Sequence, residues 1–298
     1  MKRLAISLGL VAFVVVLLMV MTRPTRLSPD VLPVHTPDVS NGARLFHAGG
    51  CASCHRSTEK DAETPVLGGG LEMNTPFGTF RVPNISPDPD YGIGNWSTLD
   101  FINAMHNGVS PDRRHYYPAF PYTSYIRMSF EDLVDLKTYL DTLPGAENRN
   151  EEHDLGFPWN VRAGIGAWKL LNLDPAAVVS VPSDNDLLIR GRYLVEGPGH
   201  CGECHTPRNW IGGPDNSRWL AGAPNPDGEG RVPNITPHEK GLADWPHSDI
   251  EYYLESGLTP DFDTVGGSMV DVQENMSRLP AEDRAAIAAY LKAVPPSF

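Results

Sequence analysis

Four cysteines stand in this 298-residue chain, all within two copies of one pattern: Cys51-Ala52-Ser53-Cys54-His55 and Cys201-Gly202-Glu203-Cys204-His205. The spacing C-x-x-C-H puts two thiols on one short turn with an imidazole beside the second. That set suits covalent attachment of haem: the thiols form thioethers to the vinyl groups and the histidine becomes the proximal iron ligand. Three other chemistries also use paired cysteines. A structural zinc site pairs its CxxC motifs at short separation, whereas these lie 150 residues apart. A thioredoxin-like pair sits beside a βαβ pattern, which the sequence lacks. Disulfides in an exported chain would leave the histidine after each second cysteine unexplained. The pattern predicts two covalently bound haems c, one on Cys51, Cys54 and His55 and one on Cys201, Cys204 and His205.

Each iron then needs a sixth ligand or an open face. A methionine closes the site and raises the reduction potential. Met73, Met105 and Met128 are available in the first half. Met105 falls inside a helical pattern and reads as core, and Met73 lies in an early loop with no feature to place it. Met128 ends the loop Tyr116–Arg127 just before a last helix, where a loop can lay a thioether across a ring, so Met128 is the expected ligand. The second half offers Met269 and Met276. Neither aligns with Met128, whose repeat counterpart is Leu279, so the duplication leaves this choice open.

The elements that position these groups are themselves repeated. At an offset of 150 the cysteine motifs coincide, as do Arg81-Val82-Pro83-Asn84-Ile85 and Arg231-Val232-Pro233-Asn234-Ile235. Trp96 then matches Trp245, Gly108-Val109-Ser110-Pro111-Asp112 matches Gly257-Leu258-Thr259-Pro260-Asp261, and Glu131-Asp132 matches Glu282-Asp283. Self-similarity at a fixed spacing marks a tandem duplication. In each copy a short helix (42–48, 189–195) enters the cysteine motif. A Gly/Pro-rich loop leads to a helix near 99–107 or 248–256, and a last helix carries Leu133, Leu136, Tyr139 and Leu140 or Ile287, Tyr290 and Leu291 on one face. No strand is expected, and the fold class reads as all-α. The organisation is an anchor and tether over 1–36, domains over 37–146 and 187–298, and a connector over 147–186. Aromatics in the connector, such as Trp159 and Trp168, predict that it packs along both domains.

Composition supports this reading. The formal charge is −13, which suits nucleic acid poorly. All four basic residues before position 30 flank an apolar run, leaving the remainder with 20 basic against 37 acidic residues. That run, Leu4 to Met21, holds eighteen positions without a charge. It is just long enough to span a bilayer and ends in Thr22-Arg23-Pro24 without a small-residue cleavage site, so an uncleaved N-terminal transmembrane helix is expected, with the long domain exported. Three prolines between Arg23 and Thr36, Pro24, Pro29 and Pro33, read as a tether.

Beyond the cysteine motifs, the stretches Thr75-Pro76-Phe77-Gly78-Thr79-Phe80, PNISPD at 83–88, GIGNWS at 92–97, GVSPD at 108–112 and YPAFPYTSY at 117–125 resemble the multihaem cytochrome c subunits of membrane-bound bacterial dehydrogenases, the alcohol, gluconate and aldehyde dehydrogenase type. The match runs over most of 41–296. It implies tandem class I cytochrome c domains that carry electrons from a periplasmic dehydrogenase partner to the respiratory chain at the inner membrane, through a quinone, cytochrome or terminal oxidase, with no substrate chemistry of their own. Where some members have a methionine in the PAFPY position this chain has Phe120, which throws the ligand role onto Met128. Gly267-Ser268-Met269 is similar to the family's ligand loop, which favours Met269 over Met276. By the same analogy the Pro83 and Pro233 carbonyls would orient the two histidines, while Trp96, Trp245, Arg81 and Arg231 would meet haem propionates. Two other classes share parts of the pattern. A dihaem peroxidase or thiosulfate dehydrogenase needs an open iron face and acid–base residues such as His115, His153 or His247. A terminal-oxidase cytochrome subunit shares the anchor and two haems but gives no reason for TPFGTF and PAFPY.

Overall fold

The structure, a computed structural model, describes residues 2–57, 64–225, 228 and 230–298, without the side chains of residues 2–5, 11, 15, 18 and 19. In the first half the helices are α1 (Lys2–Met21), α2 (Val39–Ala48), α3 (Cys51–His55), α4 (Thr98–Asn107), α5 (Tyr122–Tyr125) and α6 (Phe130–Leu140). The connector carries α7 (Gly164–Asn172), and the second half α8 (Asp186–Glu196), α9 (Gly202–His205), α10 (His247–Ser256), α11 (Met269–Met276) and α12 (Ala281–Ala293).

Each half is built on a crossing of its first and last globular helices, α2 on α6 and α8 on α12. A Cβ on Gly42 would lie 2.2 Å from the Asp135 carbonyl oxygen and 2.7 Å from Tyr139 Cβ. One on Gly191 would lie 1.9 Å from the Ala286 carbonyl oxygen and 2.8 Å from Tyr290 Cβ. The helix backbones touch at these points, so only glycine fits. The apolar faces on either side, Leu45, Phe46, Leu133 and Leu136 in one half and Leu194, Val195, Ile287 and Leu291 in the other, are buried as two separate cores. Burial of one such side chain stabilises the fold by about 1.5–3 kcal/mol. α4 opens on a capping box between Ser97 and Asp100 and closes on Gly108 in the left-handed region, where a side chain would be strained.

The all-α expectation needs correction, because short strands are present. β1 (Glu72–Thr75) and β2 (Gly78–Arg81) form a hairpin in the register Met73↔Phe80, and β3 (Asp154–Leu155) pairs antiparallel with β2. In the second half β4 (Ala223–Pro224) pairs with β5 (Arg231–Val232). Pieces of two to four residues are too short to show a period of two, and they pair because the flanking loops are held by the core.

α1 is 20 residues long, and its described apolar side chains, Ile6 to Met21, stand exposed. Counting the described residues alone, no helix is long and apolar enough to cross a membrane. The proline-rich stretch that follows lies along the first half. Arg26 pairs with Asp100, the Leu27 N–H donates to Asn103 Oδ1 at 2.7 Å, and His35 Nε2 meets Asp135 at 2.7 Å.

The connector packs on both halves. Lys169 Nζ donates to the Asn107 and Gly108 carbonyls at 2.6 and 2.7 Å, and Trp168 Nε1 donates to the Ile211 carbonyl at 2.9 Å. Further along, the buried Glu196 carboxylate accepts from the Val178 and Val179 N–H groups at 2.8 and 3.0 Å.

The halves meet face to face, with repeat-equivalent residues exchanging partners. Arg44 of α2 reaches Asp283 of α12, and its counterpart Tyr193 of α8 reaches Asp132 of α6. Within each half the same carboxylates are held by Asn41 and Arg190, which also correspond. Such reciprocity is the contact pattern of a twofold dimer, reproduced here inside one chain.

Candidate haem-binding sites

His55 ends α3 and His205 ends α9, and the two are fixed alike. His55 Nδ1 lies 2.8 Å from the Pro83 carbonyl oxygen, and His205 Nδ1 lies 2.8 Å from that of Pro233. A carbonyl only accepts, so Nδ1 carries the proton in both rings and Nε2 keeps its lone pair for a metal. The main chain is held as well, because the His55 carbonyl accepts the Gly69 N–H at 2.8 Å and the His205 carbonyl accepts the Gly222 N–H at 2.7 Å. Burial lowers the His55 pKa to about 4 against the opposing hydrogen bond to Pro83, and burial lowers that of His205 in the same way. Both are neutral imidazoles at neutral pH, as a ligand must be.

In each motif the first cysteine is half-buried and the second exposed, so one sulfur faces the core and the other the open edge. Burial, helped by the neighbouring second cysteine, pushes Cys51 and Cys201 up to about 12. Neither is a ready thiolate, which weighs against a redox-thiol role. No disulfide joins cysteines among the described residues. Unbridged thiols on one turn beside an oriented neutral histidine fit a covalently attached haem at both places.

Each turn also meets the other half across the interface. Asn275 Nδ2 donates to Ser53 Oγ at 3.1 Å. At the equivalent place Glu203 accepts from the Thr123 and Ser124 hydroxyls at 2.5 and 3.0 Å, and it pairs with Arg208 at 2.6 Å. Burial pushes the Glu203 carboxyl up, but Arg208 and the hydroxyl donors outweigh it and hold it below its ordinary value. His200 holds φ 38° where the first half has Gly50 at 54°. Its Nε2 donates to the Gly49 carbonyl at 3.1 Å, and its ring meets the edge of Tyr125. These contacts within C-x-x-C-H were missed in the sequence. The x residues were legible as the paired positions Ser53 and Glu203, but their partners lie across an interface that no local pattern reveals.

Met128 is buried in the first core and, with Met105 and Tyr125, lines a void of about 10 Å³ beside Cys51. A Cβ on Gly197, ahead of the second motif, would lie 3.7 Å from Met128 Cγ. Met269 is half-buried at the first position of α11, whereas Met276 is buried in the second core, which Cys201 also packs against. Met73 lies in β1. Trp96 and Trp245 pack on the two cores. Arg81 is spent on Glu72 at 3.1 Å and Glu151 at 3.2 Å, and Arg231 is exposed. Of the histidines considered for acid–base work, His115 Nε2 donates to the Thr22 carbonyl at 2.8 Å, His153 Nδ1 accepts the Arg81 N–H at 3.1 Å, and His247 is exposed at the start of α10.

Residues 39–144 match the family model described as cytochrome c. The chain is 54% identical over 279 residues to a dihaem c-type cytochrome of Cereibacter sphaeroides, covering 92% of each chain. It is 36% identical to the fructose dehydrogenase cytochrome subunit of Gluconobacter japonicus, over 93% of this chain and 56% of that one. It is 34% identical to the cytochrome c subunit of the quinone-type alcohol dehydrogenase of Gluconacetobacter polyoxogenes, over 88% and 58%. This chain thus spans little more than half the length of those dehydrogenase subunits. Duplicated motifs, oriented histidines and these likenesses agree: the chain belongs to the cytochrome c family, within the multihaem group that takes in dehydrogenase cytochrome subunits, and carries two covalently bound haems c.

Proposed function

We propose that this chain is a periplasmic electron carrier, anchored in the inner membrane by residues 2–21, which takes electrons from a partner dehydrogenase and passes them to a respiratory acceptor. The observation that carries this is that each cysteine turn is fixed to the other half, Asn275 on Ser53 and Thr123 on Glu203, with His200, ahead of Cys201, on the carbonyl of Gly49, ahead of Cys51. It favours a fixed conduit between two sites over two independent centres. Haem supplies a one-electron couple at each site when bound. The chain's part is to hold and orient it. Cys51, Cys54, Cys201 and Cys204 would form the thioethers, His55 and His205 would present Nε2, and Met128 and Met269 would close the opposite faces. The division into anchor and tether (1–36), two cytochrome domains (37–146, 187–298) and connector (147–186) belongs to the same proposal. The uncharged run from Leu4 to Met21 supports the anchor, and the names of the related subunits support the dehydrogenase partner. An enzymatic role finds little support, since His115 and His153 are engaged with the Thr22 carbonyl and the Arg81 N–H.

Stopped-flow mixing tests this reading. The oxidised chain should be reduced only by a dehydrogenase together with its substrate, and a pyridine-haemochrome assay of the denatured protein should return two acid-stable haems. Rapid turnover of the isolated chain with hydrogen peroxide or thiosulfate would overthrow the carrier reading.

A further inference from the structure

Helix α7 is amphipathic in the inverted sense. Its cation points inward, with Lys169 only 8% exposed and bonded to two carbonyls at the end of α4. Its leucines point outward, Leu170 at 62% and Leu171 at 75% exposure, on the same face as the exposed Ala163, Gly164 and Ala167. The i, i+4, i+7, i+8 spacing that normally faces a core here faces out. The chain leading into α7 continues the surface, with Phe157 83%, Trp159 49% and Val161 51% exposed. Trp210, 94% exposed, joins it from the second half. Its loop is tied to α7 by Trp168, and Gly212 of that loop adjoins Phe77, whose ring meets Trp159 at 4.9 Å.

Two further observations say what covers this surface. First, the outer face carries no charge. No acid lies between Asp154 and Asp174 in an otherwise acidic chain, and the two bases in that interval are turned in: Lys169 as above, and Arg162 onto the His115 carbonyl at 2.8 Å and the Tyr117 ring. Second, the patch is continuous with the end of α1. A Cβ on Gly166 would lie 2.1 Å from the Thr22 carbonyl oxygen, directly after Met21, and His115 bonds the same carbonyl. A long helix, uncharged from Leu4 to Met21, therefore leaves off against the connector helix α7, whose leucines face outward.

We infer that the outer face of α7, with Phe157, Trp159 and Trp210, lies in the headgroup region of the phospholipid bilayer and seats the haem domains on the membrane beside α1. This inference rests on the anchor reading above. Tryptophan at that depth keeps its ring against the acyl chains and its indole N–H in the hydrated interface, and phenylalanine and aliphatic side chains gain by leaving water. A second contact would fix the orientation of both domains, which a single helix alone leaves free to swivel.

Photo-crosslinking of the full haem-loaded chain tests it. A diazirine amino acid replaces Phe13, Phe157, Leu171 or Phe262 one at a time, in nanodiscs of phosphatidylethanolamine and phosphatidylglycerol. All four side chains are exposed, so packing is left alone. Phospholipid adducts are expected by mass spectrometry at Phe13, Phe157 and Leu171, with none at Phe262. Adducts at Phe13 alone overturn the inference and leave the anchor standing. No adduct at Phe13 removes the anchor and this inference with it. In native membranes, a polypeptide rather than a lipid captured at Leu171 also overturns it, because the face would then be a docking site for the dehydrogenase.

Discussion

At His55 and His205 a backbone carbonyl decides where the ring proton sits, and that leaves the sixth ligand as the open question at the scale of single residues. Met128 lies beside Cys51 in the first core. In the second half the two candidates differ in what else they do. Met276 is a core side chain, whereas Met269 is half-buried on the first turn of α11. Met128→Ala and Met269→Ala should each remove a share of the weak sulfur-to-iron absorption band of the oxidised protein and lower the potential of one haem. Met276→Ala should leave the band intact and destabilise the fold by about 2–5 kcal/mol, as a large-to-small core substitution does. If Met276→Ala abolishes the band and Met269→Ala spares it, the assignment is reversed.

At the scale of elements, the two cysteine turns solve one packing problem in different ways. A Cβ on Gly202 would lie 2.1 Å from the Trp219 ring, so the indole can lie on α9 only because that position has no side chain. In the first half Ala52 stands at the matching position of α3, and Val66 precedes Leu67 as Trp219 precedes Leu220, the two leucines accepting from Ile85 and Ile235. Gly202→Ala should therefore cost about 1–3 kcal/mol by overpacking. Adding Trp219→Val should recover most of the clash at the expense of buried area. Thermal unfolding of the two single variants and the double variant reads the coupling, and additive changes would show that the ring and the turn do not meet. The repeat offset was legible in the sequence, as were the histidines, cysteines and helix faces, because each is carried by a sequence pattern. The pairing of Gly202 with Trp219, the strands around Pro76-Phe77 and the inversion of α7 were not. They depend on which surfaces meet once the chain has folded, and the outward placing of Leu170 and Leu171 is set by neighbours distant in the sequence.

At the scale of the whole molecule, the twofold-like interface concentrates its charge on Asp283. This carboxylate is fully buried at the side chain, bonded by Arg190 of its own half and by Arg44 of the other. Burial pushes its pKa up, but the two guanidinium groups outweigh it and hold the carboxyl below the ordinary aspartate range. A folded-state pKa below the unfolded one means the ionised carboxylate stabilises the native state. That contribution is complete above the unfolded pKa and disappears as pH falls through the folded one. Asp283→Asn removes the titrating group and leaves Arg44 and Arg190 without their counter-charge. Breaking a buried pair costs about 3–5 kcal/mol, and the partial exposure of both arginines places this one nearer about 2–4 kcal/mol at neutral pH. The variant should therefore start less stable, and its stability should fall less steeply below about pH 4 than that of the parent, since one proton fewer is taken up on unfolding. Denaturant melts at a series of pH values measure both effects. Because Arg44 reaches across the interface, the variant should also loosen the seating of each cysteine turn on the other half, and slower electron exchange between the two haems should accompany the loss of stability. Parallel acid limbs in parent and variant would show that Asp283 titrates alike in the folded and unfolded chains, and that something other than this ion triad joins the halves.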